Sequence, residues 1–201
     1  ENGWDGAITL IGAEHGLPYE RPPLSKPGQA GVPCKLICTD DALRGAGIDY
    51  HPGVAAQMID PKAQQVVLTD GRVTHYHRLL LASGARPRRL TCPGADLALD
   101  FRTHADALQI FSRCHPGARV AIVGAGLIGM ELAAVLNGKG VQVAVVEAGA
   151  AALGRAVPPH LAARLYQRHC DSGVQFRFNA TLTGIDAAGL AARRMLVGAG
   201  A

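Results

Sequence analysis

A short β-branched apolar segment that runs straight into Gly-x-Gly-x-x-Gly and then into a helix leaves a chain few folds to adopt. Residues 118–131 do this: Ala-Arg-Val-Ala-Ile-Val-Gly-Ala-Gly-Leu-Ile-Gly-Met-Glu. Arg119 to Val123 has the composition of a buried parallel strand. Met130 to Leu136 reads as a helix, stopped by Asn137-Gly-Lys-Gly140. A second apolar strand, Val141 to Val146, ends on Glu147. In such a unit Gly124 permits the tight turn, Gly126 lets the backbone approach a pyrophosphate, and Gly129 lets the helix pack closely on the strand. The unsatisfied N–H groups and positive end of the helix then hold the phosphates. A carboxylate at the end of the second strand suits ribose hydroxyls, and Glu147 has the expected separation. The pattern therefore predicts an α/β, Rossmann-like domain that binds a dinucleotide. A tight strand-to-helix turn with no ligand is the alternative for a glycine triplet alone. Strand, helix, second strand and acid in register argue against it.

The acid also bears on which dinucleotide. A 2′-phosphate would meet like charge at Glu147, which favours NAD(H). Ala148, Gly149 and Ala150 supply no arginine, and the nearest one, Arg155, leaves NADP(H) open.

Composition narrows the remaining classes. The 201 residues are 48% hydrophobic but only 4% aromatic, and they include 25 glycines. This suits an α/β protein with close helix–sheet packing. The net charge of +4 is scattered, with Arg86, Arg88 and Arg89 the tightest group, so no nucleic-acid surface is expected. No stretch reads as a membrane span or a signal peptide, and a soluble cytoplasmic protein is expected. The five cysteines, Cys34, Cys38, Cys92, Cys114 and Cys170, lack C-x-x-C spacing. They read as ordinary reduced thiols, with no metal site expected.

The rest of the chain supplies a second set of elements. Ala7 to Ile11 is an apolar strand followed by Gly12-Ala-Glu14. This is the pattern of a nucleotide unit's second strand, with Glu14 as ribose-binding acid. Leu17-Pro-Tyr-Glu-Arg-Pro-Pro-Leu-Ser-Lys26 carries three prolines, which exclude an ordinary helix and stiffen the loop. It presents Arg21 and Lys26 as fixed cations, suited to phosphate and an electron-rich ring; a rigid loop with solvated charges is the alternative. A helix is predicted over Cys34 to Arg44, an extended segment over Ile48 to Pro52, and a hairpin over Val66 to Thr74 with an Asp70-Gly71 turn. Leu79 to Ala82 reads as a buried strand. Helices are predicted at Arg102 to Phe111 and His160 to His169, with short strands at Phe176 to Phe178, Leu182 to Ile185 and from Met195. Pro/Gly punctuation puts the domain junction between residues 91 and 117.

Together these segments resemble the FAD- and NAD-dependent ferredoxin reductases of bacterial oxygenase and cytochrome P450 systems, within the pyridine nucleotide–disulfide oxidoreductase superfamily. The resemblance rests on Ile11 to Glu14, Pro18 to Lys26, Leu79-Leu-Leu-Ala-Ser-Gly-Ala-Arg-Pro-Arg88, Phe101-Arg-Thr103, Val123 to Glu131, and Val145 to Glu147 with Leu153 to Pro158. It implies a flavoprotein fold with two dinucleotide-binding domains: a partial FAD-binding domain over 1–104 and an NAD(H)-binding domain over 105–201. By the resemblance Glu14 holds the FAD ribose, Lys26 lies near the flavin ring as the catalytic residue, and Arg21 and Arg102 border the FAD site. Ala56 contacts adenine through its backbone. Ala82, Ser83 and Gly84 form the turn over the flavin, with Ser83 where the family carries Thr. On the NAD side it implies Gly126, Ile128, Glu131 at the carboxamide end, Glu147, Arg155 and Gly198.

The first strand and phosphate loop of an FAD domain are missing from the sequence, and the stretch between Ile185 and Met195 is short. The chain thus reads as truncated at both ends. The implied reaction carries electrons from NADH through FAD to a small [2Fe-2S] ferredoxin or rubredoxin-like acceptor. A disulfide-reductase variant would need a redox cysteine pair that this sequence does not place. A non-catalytic NAD-binding module that does not retain FAD is the competing expectation.

Overall fold

The structure is a computed structural model that describes residues 4–28, 30–154, 156–186 and 194–198. Its packing divides the chain into two units, Glu1–Glu20 with Lys35–Gly84, and Arg21–Cys34 with Ala85–Ala201.

In the first unit, β1 (Ile8–Gly12) pairs in parallel with β2 (Ile48–Pro52), Ile8 beside Ile48 and Gly12 beside Pro52. Helix α1 (Asp40–Gly45) precedes β2. The Thr39 hydroxyl accepts the Ala42 N–H at 3.2 Å, and Asp40 and Asp41 face the positive end of the helix. The predicted helix from Cys34 is thus shorter than expected. Its first half is claimed by the proline segment: Lys35 O accepts from Glu20 N, Ile37 N donates to Pro18 O, and Leu36 bridges Tyr19 antiparallel. Backbone groups spent there cannot make helical bonds.

β3 (Ala56–Asp60), β4 (Gln65–Leu68) and β5 (Val73–His75) form an antiparallel sheet in that order. The predicted hairpin joins β4 to β5. Gly71 sits at φ +85°, and Asp70 Oδ1 accepts from Arg72 N. Val66 and Leu68 bury its inner face. The predicted buried strand Leu79 to Ala82 is not formed. The segment lies in no ladder, and Leu80 and Leu81 are 88% and 68% exposed. An apolar run becomes a strand only when neighbouring backbone pairs with it.

The second unit holds a parallel sheet of β6 (Leu99–Asp100), β7 (Arg119–Val123), β8 (Gln142–Val146), β9 (Gln175–Arg177) and β10 (Arg194–Gly198), in the order β6-β10-β7-β8-β9. Helices α2 (His104–Arg113), α3 (Leu127–Gly138) and α4 (Pro159–Asp171) make the successive crossovers. All three step across the sheet in one direction, so right-handed crossovers put them on one face. That face supplies the core, where Val120, Ile122, Val143 and Val145 pack with Ile110, Leu132, Leu136 and Ala162. Burial of each large side chain contributes roughly 1.5–3 kcal/mol.

Local signals explain the helix ends. Thr103 and Asp106 form a reciprocal capping box at α2, and Pro159 opens α4 at a position whose N–H would be unpaired anyway. The predicted strand Leu182 to Ile185 is irregular instead. Ile185 N donates to Pro93 O at 2.8 Å, a bond with a loop where a ladder would be needed.

Candidate functional site

At the carboxyl ends of β7 and β8 the glycine turn takes the form its residues require. Gly124 lies at φ +106° and donates to Val146 O at 2.8 Å, which ties the turn to the neighbouring strand. Gly126 is the N-cap of α3 and has no side chain to satisfy the first helical N–H groups. A Cβ built on Gly126 would meet nothing within 4 Å, so the front of the helix end is open. Gly129 and Met130 are buried against the strands, and Ile128 packs on the core. An open glycine in front of an uncapped helix N-terminus fits a pyrophosphate.

Glu147 follows β8 and faces back into this turn. Its Oε2 accepts the Ala125 N–H at 2.7 Å and its Oε1 the Gly149 N–H at 2.7 Å. A cleft of about 320 Å³ opens beside it, lined among others by Arg88, Arg89, Thr91, Glu147 and Thr181. Gly198 pairs with Val123 and with Asp100, which brings it to the same end of the sheet. Arg155 lies outside the described residues.

The proline segment reaches the same unit through a 3-10 turn at Pro22–Ser25. Pro22 and Pro23 fix the first two positions, and Leu24 and Ser25 are buried. Ser25 Oγ donates to Glu131 Oε2 at 2.8 Å, while Lys26 Nζ meets Glu131 Oε1 at 2.7 Å and Pro22 O at 3.1 Å. The Arg21 guanidinium donates to Arg102 O at 2.6 Å. Arg21, Lys26, Arg102 and Glu131, four residues of the expected site, thus share one neighbourhood. The Lys26 and Glu131 side chains are 57% and 39% exposed, so their ion pair contributes at most about 1 kcal/mol. Its effect is to orient the ammonium and the carboxylate. An ordered ammonium and guanidinium are the donor chemistry that an electron-rich ring and a diphosphate require.

In the first unit the Glu14 carboxylate accepts the Tyr19 hydroxyl. Tyr50 donates to Gly16 O at 2.7 Å, and burial first, then the Glu14 charge, pushes its phenol above the usual value. Ala56 begins β3, paired with Leu68. Ala82, Ser83 and Gly84 are exposed, with Gly84 at φ +69°. Among the described residues no three His, Cys, Asp or Glu side chains gather as metal ligands. No described helix is long and apolar enough to cross a membrane.

Sequence reasoning missed Ser25 and the cleft arginines. A serine beside the motif lysine carries no signal of its own, and Arg88 and Arg89 are remote from Glu147 in sequence.

The family model described as pyridine nucleotide-disulphide oxidoreductase matches residues 2–199. The chain belongs to that family. Within the family it is 37% identical to a ferredoxin–NAD(P)(+) reductase of Sphingomonas sp. over 182 residues, 88% of this chain and 44% of that protein. The crystal structure of a ferredoxin reductase from Rhodopseudomonas palustris superposes with a TM-score of 0.89 at 28% identity, covering 98% of this chain and 53% of that one. The reductase in the covalent putidaredoxin reductase–putidaredoxin complex gives a TM-score of 0.82 at 31% identity, covering 92% and 46%. The two-dinucleotide-domain flavoprotein fold expected from the sequence is therefore the right one. The chain spans about half the length of the curated relatives it matches.

Proposed function

We propose that this chain carries the nucleotide-binding machinery of an FAD-dependent NADH:ferredoxin oxidoreductase in the cytoplasm. Its electron acceptor is a small [2Fe-2S] ferredoxin or a rubredoxin-like protein. The observation that carries the reading is the open glycine turn before α3, held by Glu147 and set on a parallel sheet. The names of its relatives support the acceptor class.

In this reading residues 105–201 bind NADH and residues 1–104 contribute to the FAD site. Gly124, Gly126 and Gly129 shape the pyrophosphate seat, and Ile128 forms part of its wall. Glu147 accepts from the adenosine ribose, Gly198 lies at the same end of the sheet, and Arg155 is assigned to the same nucleotide. Glu131, set by Ser25 and Lys26, orients the carboxamide. Flavin, when bound, supplies the conversion of a two-electron donor's equivalents into single electrons. Lys26 places positive charge where the reduced ring gains negative charge, and Arg21 and Arg102 face its phosphates. Glu14, Ala56 and Ala82 to Gly84 are assigned to the FAD adenosine and ring.

A second reading, an NAD-binding module that does not retain FAD, is favoured by one feature: Ala82 to Gly84 stand exposed and outside any sheet. The absorption spectrum of the purified chain, with an NADH fluorescence titration, separates the two. The oxidoreductase reading expects saturable NADH binding and a yellow chain on addition of FAD. NADH binding with no retained flavin supports the second reading, and no NADH binding overturns both.

A further inference from the structure

The cleft beside Glu147 contains a cation that the NADH reading leaves without a task. The linker after Gly84 brings Arg88 and Arg89 to the strand ends of β7 and β8. Arg89 is engaged, its guanidinium 3.4 Å from Asp100. Arg88 is exposed, lines the cleft, and makes no ion pair or hydrogen bond within the described residues. Glu147, which lines the same cleft, has both oxygens engaged by backbone N–H groups, so the carboxylate cannot swing away without breaking them. A ribose 2′-phosphate seated here would face that fixed negative charge. The only cleft cations among the described residues are Arg88 and Arg89, and only Arg88 is unengaged.

We propose that Arg88 is a specificity-determining residue that receives a 2′-phosphate, so that the chain accepts NADPH as a second, weaker-binding cofactor beside NADH. The inference rests on the dinucleotide reading above. A guanidinium offers a planar fork of donors that matches phosphate oxygens, and the resulting bonds are charge-assisted. Arg88 offsets the Glu147 charge for the phosphorylated nucleotide and has no partner on the unphosphorylated one. The two residues therefore set the NADH-to-NADPH ratio from within one cleft.

The test is calorimetric titration of the full chain with 5′-AMP and 2′,5′-ADP, which differ only by the 2′-phosphate, and with NADH and NADPH. Arg88→Ala should weaken 2′,5′-ADP and NADPH by roughly 10–100-fold, the worth of one or two charge-assisted bonds. It should leave 5′-AMP and NADH within about threefold, as expected for an exposed charge that does not touch them. Arg88→Lys should restore part of the loss, and thermal unfolding should confirm that each variant is folded. An Arg88→Ala chain that binds 2′,5′-ADP as the parent does, or that loses 5′-AMP equally, overturns the role of Arg88 while the dinucleotide site stands. Failure of every adenine nucleotide to bind the parent overturns the underlying reading as well.

Discussion

The Glu147 carboxylate holds the Ala125 amide at 2.7 Å, across the gap between the end of β8 and the turn that follows β7. One side chain therefore does two things. It fixes the middle residue of the glycine turn, and it holds a negative charge beside that turn. Its second oxygen, on Gly149 N, keeps the orientation.

Replacement of Glu147 should expose both effects. In Glu147→Ala, NADH affinity should fall by roughly tenfold or more, the loss of a charged hydrogen-bonding group. NADPH should lose less, because the repulsion goes with the carboxylate, so the gap between the two narrows. Parallel titrations with both nucleotides check this; equal affinities in the unmodified chain would sink the assignment of Glu147.

Gly126→Val separates fold from site. The residue has extended backbone at φ −76° and ψ −174°, and its missing Cβ faces open space, so a side chain is tolerated. Unfolding free energy should change by no more than about 1 kcal/mol. An isopropyl group would nonetheless fill the seat of a phosphate oxygen, and NADH binding should disappear. A folded variant that binds NADH normally would refute the dinucleotide site.

Gly94 and Gly117 form a matched pair for stability. Both have positive φ, +77° and +82°, but a Cβ on Gly94 would lie 2.1 Å from Ile185 O while one on Gly117 meets nothing. Gly117→Ala should cost about 1–2 kcal/mol from backbone conformation alone. Gly94→Ala must also push away the loop bonded to Pro93 O, and should cost at least about 3 kcal/mol. Urea unfolding of the two variants measures the difference.

The cysteines should differ in alkaline behaviour. Burial at the end of α2 pushes the Cys114 thiol from an ordinary 9.0 up to about 11, whereas Cys34 is exposed. The folded state keeps a proton that the unfolded chain releases at lower pH. The associated stability is therefore present below about pH 9 and lost as pH rises toward 11. At pH 8 iodoacetamide should label Cys34 well before Cys114, by mass spectrometry of peptides. Equal labelling rates would contradict the burial of Cys114.

Where hydrophobic period and turn chemistry acted locally, the sequence was a good guide. The strand before Gly124, the helix after it, the strand ending at Glu147 and the Asp70-Gly71 hairpin all form as their residues require. The misreadings share a cause. Cys34 to Cys38 and Leu79 to Ala82 have the composition of regular elements, but whether such segments become regular depends on what their backbone groups meet. Proximity of Lys26 to Glu131, or of Arg88 to Glu147, is likewise a product of chain crossing, which no local pattern encodes. Proline at positions 22 and 23 announced a stiff loop, but not that its next serine would be buried against a helix acid.

The order of strands in the second sheet also decides which pairings join residues far apart in sequence. β7, β8 and β9 follow one another through short crossovers and can assemble from contacts near in sequence. β10 is different: it enters between β6 and β7, with Arg194 beside Arg119 and Val197 beside Leu99. Its loop-closure entropy is the largest in the sheet, and its contacts are the least local. β6 pairs only with β10 in this sheet, so the least local pairings lie between β6 and β7 and not at an outer edge. A chain caught before β10 inserts would hold the glycine turn and Glu147 in register, yet would present two open strand edges facing one another. Such edges are templates for pairing with other chains, so slow insertion of β10 makes misassembly the characteristic hazard of this topology.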